Sequence, residues 1–165
     1  MHHRERYLTT NTARLARLCL PRCEIRLRGL GPNTLDLSDL IHEEGKVSLL
    51  LFPSEDAHVL SPEYLEKIKM PIKLIVPDGS WRQASKVAKR EAELKNIDRV
   101  TLPFIKLSEY RLRREPKDEG LATFEAIARS IGIIEGPERG PKIQKLLEDV
   151  FRVMVSRTLK SRGTL

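Results

Sequence analysis

Two largely apolar segments of the sequence, residues 47–52 and 72–76, are each followed at once by residues that could do chemistry. Carboxylates such as Asp78 can accept a proton or orient a ligand, and Gly79 lets the backbone approach a bound molecule closely. Trp81, the only tryptophan, offers a large face for stacking. Ordinary structure accounts for the same residues equally well, because acids are favoured at helix N-termini and aspartate suits turns. The pattern indicates a candidate ligand site without fixing its chemistry.

An aromatic residue and three arginines cluster at residues 110–114, which suits stacking and contact with phosphate. The net charge of +7 comes from 30 basic and 23 acidic residues. Residues 1–28 and 79–116 each carry a net charge of +5, and they flank an acidic block, residues 29–78, with a net charge of −5. If folding unites the two basic blocks, they form a surface that attracts a polyanion; otherwise they are solvated faces.

Strands and helices alternate along the chain, which indicates an α/β fold with a mainly parallel sheet flanked by helices. We predict strands at residues 24–27, 47–52, 72–76 and 99–102, helices at about 11–20, 80–95, 123–133 and 141–160, a short helix from Pro62, and a loop at 103–120. Ser80 and Gln83 have the spacing of a capping box. Ligands of such sheets bind beyond the carboxyl ends of the strands, where the polar segments lie.

Metal binding, membrane insertion and the common nucleotide motifs find little support in the sequence. Cys19 and Cys23 form one pair, a structural zinc site needs four ligands, and His2 and His3 lie at a terminus where such pairs are commonly solvated. We therefore expect no metal. No Gly-x-Gly-x-x-Gly or P-loop pattern occurs, and the longest apolar run, residues 49–52, is far shorter than the roughly 20 residues that span a bilayer. We expect a cytoplasmic protein with no membrane partner.

Five short motifs, in this order, resemble those of the DTW-domain family of tRNA-uridine aminocarboxypropyltransferases. They are NTARL at 11–15, LFPSEDA at 51–57, DGSWRQA at 78–84, SEYRLR at 108–113 and LATFEAIA at 121–128. The family's Asp-x-Thr-Trp signature reads Asp-Gly-Ser-Trp here, and serine keeps the hydroxyl group. The Cys-rich stretch that family members usually carry near the N-terminus is not among these residues. We expect a single DTW domain over residues 1–165.

The resemblance implies an enzyme that transfers the 3-amino-3-carboxypropyl group of S-adenosylmethionine to N3 of a uridine in tRNA and releases methylthioadenosine. It also implies a SPOUT-like fold with a C-terminal trefoil knot. Asp78 is the candidate base for the N3 proton, or else it holds the amino group of the cofactor or the uracil edge. Residues that the resemblance assigns to the cofactor are Pro53, Ser54, Glu55, Asp56, Gly79, Ser80, Trp81, Leu121, Thr123, Glu125 and Ala126. Residues that it assigns to the RNA are Arg14, Tyr110, Arg111, Arg113 and Arg114.

Two other functions are compatible with the sequence. A SPOUT-like RNA methyltransferase would use the same cofactor, and the mass of the modified nucleoside would distinguish the two transfers. A non-catalytic RNA-binding protein is the second alternative. The retained residues 54–56 and 78–81 argue against that alternative, because RNA binding alone does not need them.

Overall fold

The chain folds as two units, each assembled from two separate stretches of sequence. The computed structural model describes residues 1–31, 35–41, 43–103, 108–110 and 120–164. The first unit consists of Met1–Tyr7 and Ile25–Pro103, and the second unit consists of Leu8–Glu24 and Phe104–Leu165. The first unit contains the sheet, and the helices of the second unit pack on one another around an apolar core.

A four-stranded sheet organises the first unit. Its strands are β1 (Val47–Leu51), β2 (His58–Val59), β3 (Ile72–Ile75) and β4 (Asp98–Thr101), in the order β2-β4-β1-β3. All three strand pairs are parallel, which confirms the predicted mainly parallel sheet. The central strand β1 is apolar except for Ser48, and both its faces are covered, since the consecutive residues Leu49 and Leu50 are fully buried.

Three α-helices accompany the sheet: α2 (Ser38–Ile41), α3 (Pro62–Leu65) and α4 (Trp81–Arg90). The predicted capping box is confirmed, since the Ser80 hydroxyl accepts from Gln83 N–H and the Gln83 side chain accepts from Ser80 N–H. The prediction that this helix continues to residue 95 is wrong. Glu91 is extended, and a 3₁₀ turn at Ala92–Leu94 brings Leu94 into the core, where it is fully buried.

The predicted strand at residues 24–27 is also wrong. This stretch runs beside the N-terminus instead of the sheet: the Met1 ammonium donates to the Arg26 carbonyl at 2.8 Å, and His2 and Arg28 form one isolated bridge. The alternation of charged and apolar residues there explains the outcome, because a strand of a parallel sheet is buried on both faces. Arg26 faces outward and pairs with Asp39 at 2.6 Å.

The second unit is built from α1 (Ala13–Cys19), α5 (Thr123–Ile134) and α6 (Gly136–Ser161). Its core includes Phe124 and Phe151, whose rings are 6.0 Å apart. The prediction that α6 starts at Pro141 is wrong, because Gly136 has a φ of +74° and Pro137 follows it at the start of the helix. Glycine at a positive φ ends one helix and proline suits the first turn of the next.

Candidate functional site

The two polar segments noted in the sequence lie at one edge of the sheet. β1 and β3 are neighbouring parallel strands, with Leu50 opposite Ile75 near their carboxyl ends. The chain leaves β1 toward residues 52–57 and leaves β3 toward residues 76–80, so both segments begin at the same edge. The rings of Phe52 and Trp81 confirm the proximity, with centroids 6.0 Å apart and planes inclined by 58°.

Ser54 has a buried hydroxyl group at this edge. Among the described residues, its oxygen has no partner that meets the geometry of a hydrogen bond. A hydroxyl that is buried without such a bond loses its contact with water and gains little in return. Its dipole nevertheless lies near Asp56 and is the largest influence that lowers the pKa of that carboxyl. The Ser54 hydroxyl is therefore a group that a bound ligand could satisfy.

Asp56 is held by an arginine of β4. Arg99 Nη1 donates to both carboxylate oxygens of Asp56, at 3.2 and 3.1 Å, and Arg99 Nη2 donates to the Ala88 carbonyl at 3.3 Å. One guanidinium thus joins the segment after β1 to the helix α4 that follows the segment after β3. Sequence reasoning missed Arg99, because nothing in the sequence pairs it with a residue 43 positions away.

Asp78 is a buried carboxylate, with 6% of its surface exposed. Its negative charge raises the pKa of the Met1 ammonium, although burial has the larger effect and lowers that pKa overall. Gly79 has a φ of +133°, and a Cβ there would lie 2.8 Å from Gln83 Oε1. The turn between Asp78 and α4 therefore needs glycine. Pro53, Glu55 and Ser80 are exposed at the same edge, and Trp81 is half-buried.

In the second unit, Glu125 joins two of the sequence motifs. Its side chain is buried, with 4% exposed. Oε1 accepts from Glu109 N–H at 2.8 Å, and Oε2 accepts from the Ser108 hydroxyl and from Ala122 N–H at 3.0 Å. The carboxylate thereby satisfies a backbone donor at the start of α5 and fixes Ser108 and Glu109 beside it. Its assignment to the cofactor stays a prediction.

Tyr110, which the resemblance assigns to RNA, belongs to the core of this unit. It is 8% exposed, its hydroxyl donates to the Thr10 carbonyl at 2.7 Å, and its ring stacks on Phe151 at 6.0 Å. Stacking on a base would require the ring to leave this position. Arg14 is exposed on α1. The remaining arginines of that assignment, Arg111, Arg113 and Arg114, lie outside the described residues.

The motif near the N-terminus also contacts α5. The Thr12 hydroxyl accepts from Phe124 N–H at 3.2 Å across 112 residues of sequence, and both groups are buried. Sequence reasoning quoted Thr12 only as part of a motif and gave it no contact. Leu121, Thr123 and Ala126, which the resemblance assigns to the cofactor, are half-buried around the start of α5.

The described parts of the chain contain no group of three or more His, Cys, Asp or Glu side chains arranged to hold a metal ion. Cys19 and Cys23 are free thiols beside the core of the second unit, and burial raises the pKa of both. None of the helices in the described ranges combines the length and the apolar character needed to cross a membrane.

Comparison with known proteins gives a family match over nearly the whole chain. The model of the family described as "DTW domain" matches residues 1–159. The chain is 27% identical over 138 residues to tRNA-uridine aminocarboxypropyltransferase 2 of Macaca fascicularis, covering 81% of this chain and 46% of the relative. It is 29% identical over 103 residues to the protein of that name from Drosophila melanogaster, covering 62% and 39%. The chain thus spans less than half the length of these relatives. No solved structure matches.

Proposed function

The chain belongs to the DTW domain family, and on that premise we propose that it transfers an aminocarboxypropyl group to a uridine of tRNA. The donor in this proposal is S-adenosylmethionine, and the product is 3-(3-amino-3-carboxypropyl)uridine with methylthioadenosine as the by-product. The family match carries the proposal, because it includes both polar segments of the sheet edge, and relatives that bear this enzyme name share 27–29% identity.

The residues at the sheet edge fit such a donor. Its amino-acid part carries a carboxylate, and the Ser54 hydroxyl, which has no partner of hydrogen-bond geometry among the described residues, offers a hydrogen-bond donor for it. The neighbouring rings of Phe52 and Trp81 offer apolar surface for the rest of the molecule. In this proposal Ser54 donates to the donor's carboxylate, while Trp81 packs against its apolar part.

When bound, the donor supplies a carbon next to a sulfonium, which bonds to N3 of the uridine as the C–S bond breaks and methylthioadenosine leaves. The chain's own task is to position the uridine and to remove the N3 proton. Asp78 is the proposed base, because a carboxylate that is 6% exposed acts in a medium of low dielectric constant, where electrostatic interactions are strong. A positioned base contributes about 10²–10⁴-fold in rate.

The remaining roles in the proposal follow the resemblance. By that resemblance, Leu121, Thr123 and Ala126 are assigned to the cofactor and Arg14 to the tRNA. A SPOUT-like topology with a C-terminal knot belongs to the same proposal, and the all-parallel sheet with its polar segments at the carboxyl edge supports the α/β part of it.

Asp78→Asn tests the proposal, with Asp98→Asn as the matched control, since Asp98 is exposed on β4 and carries the same charge. We expect Asp78→Asn to bind S-adenosylmethionine normally in calorimetry and to lose about 10²–10⁴-fold in single-turnover rate on tRNA. The control should keep both properties. Weaker cofactor binding with an unchanged rate at saturation would make Asp78 a ligand-holding group, and full activity would remove it from the site.

A further inference from the structure

Positive charge is concentrated in the second unit. This unit contains 16 basic and 10 acidic residues, whereas the first unit contains 14 and 13. Several basic residues in the first two thirds of α6 have acidic partners. Arg139 lies 3.6 Å from Glu135, Lys145 lies 2.6 Å from Asp149, and Arg152 also pairs with Asp149 at 2.6 Å. Charges that are paired in this way present little net field to a charged partner.

The end of α6 and the helix α1 differ from this pattern. No aspartate or glutamate occurs at residues 11–23 or 150–165. Arg14, Arg17, Arg157 and Lys160 are exposed, and none of them has an ion pair within 4.0 Å to a residue that the structure describes. These four residues are called the basic surface below. Their positive charges are not neutralised by neighbouring described side chains.

Packing brings α1 and the end of α6 to the same end of the second unit. Phe124, near the start of α5, stacks on Phe151 of α6, and its N–H donates to the hydroxyl of Thr12, which directly precedes α1. A Cβ on Gly140 would lie 1.9 Å from the Gly132 carbonyl oxygen, so the end of α5 lies beside the start of α6. Because Phe124 at the start of α5 contacts Phe151 further along α6, the two helices run antiparallel. The ten residues of α6 after Phe151 therefore extend about 15 Å past the start of α5.

We propose that the basic surface binds the phosphate backbone of the RNA substrate. Three of its four residues are arginines, whose planar guanidinium groups match phosphate oxygens with two parallel hydrogen bonds. The surface lies at the end of the unit that carries Tyr110 and the start of α5, so bound RNA would reach the motif residues. This inference rests on the proposed function, and it adds Arg17, Arg157 and Lys160 to the tRNA contacts.

The experiment measures affinity of the full chain for an unmodified tRNA transcript by fluorescence anisotropy over a range of KCl concentrations. The test variant is R157Q/K160Q. The control is R139Q/K145Q, which removes the same charge from the same helix at positions that have acidic partners. For two lost phosphate contacts, the slope of log affinity against log salt should fall by about 2 units, and the control should keep the wild-type slope. R14Q/R17Q should behave like R157Q/K160Q.

Equal changes of slope in test and control variants would overturn the proposal, because only net charge would then matter. An unchanged slope in R157Q/K160Q with weaker binding to phosphatidylserine vesicles would assign the surface to lipid headgroups instead. Product formation by the wild type is assayed separately by mass spectrometry of the tRNA nucleosides. If the wild type forms product but R157Q/K160Q keeps the wild-type slope, the basic surface alone is refuted. If R157Q/K160Q lowers the slope but the wild type forms no product, the proposed function alone is refuted.

Discussion

Replacement of Glu125 by glutamine should destabilise the second unit by about 2–4 kcal/mol. The carboxylate accepts three hydrogen bonds, from Glu109 N–H, the Ser108 hydroxyl and Ala122 N–H. Glutamine has one acceptor oxygen, and its amide nitrogen would face a donor that keeps no partner. A buried donor left without a partner costs about 1–3 kcal/mol. A lost hydrogen bond to a charged group adds about 1.5–3 kcal/mol, and the hydrogen bonds that the glutamine oxygen still accepts offset part of this loss.

The assay is urea unfolding followed by circular dichroism. The variant should have a lower urea midpoint, with the slope of unfolding free energy against urea concentration unchanged. Glu138→Gln is the control, because Glu138 is exposed in the first turn of α6, and its loss should change stability by less than about 0.5 kcal/mol. A double-mutant cycle with Ser108→Ala should give a coupling energy above about 0.5 kcal/mol, since the two side chains share a hydrogen bond.

The same variant distinguishes two roles of Glu125. If the carboxylate joins Ser108 and Glu109 to α5, stability falls and the affinity of the folded variant for S-adenosylmethionine is preserved. If it binds the cofactor, as the resemblance implies, affinity falls and the urea midpoint stays at the wild-type value. The second result would refute the reasoning from the hydrogen bonds.

Two further predictions concern packing and titration. Gly140→Ala should destabilise the α5–α6 pair by about 3 kcal/mol or more in the same urea assay, because its Cβ would meet the Gly132 backbone carbonyl at 1.9 Å; a loss below about 1 kcal/mol would contradict the close approach. In NMR titration, Asp56 should have a pKa below the ordinary value of 3.8, owing to Ser54, its own backbone and Arg99, and Arg99→Gln should raise that pKa. Since the folded pKa is lowered, this stabilising contribution is present above the unfolded pKa and is lost as the pH falls through the folded pKa. An unchanged Asp56 pKa in Arg99→Gln would show that the ion pair has no effect in solution.

The sheet could be predicted where burial leaves a periodic signal. The segments that became β1 and β3 are apolar except for Ser48 and Lys73, and each ends before a proline, so their place in a covered parallel sheet follows from composition. β2 is two residues long and exposed, and it leaves no such signal. The start of α6 is visible in hindsight as Gly136-Pro137, but Pro141 offers a second start signal five residues later.

The assembly of the units could not be predicted, because it depends on contacts between distant residues. Thr12 meets Phe124 across 112 residues, and nothing local to either residue marks the pairing. For the site, sequence reasoning found the two segments at the sheet edge. It could not tell that the Ser54 hydroxyl is buried with no partner of hydrogen-bond geometry in the part of the chain that the structure describes, while Asp56, two residues later, is paired with Arg99. Such differences arise from side-chain environment, which spacing does not encode.

The central claim is tested most directly by incubating the full chain with S-adenosylmethionine and unmodified tRNA, then analysing the digested nucleosides by mass spectrometry. We expect an aminocarboxypropyl adduct on uridine and one methylthioadenosine released for each adduct formed. A methyl adduct with S-adenosylhomocysteine, or unmodified uridine from a folded chain that binds both substrates, would contradict it.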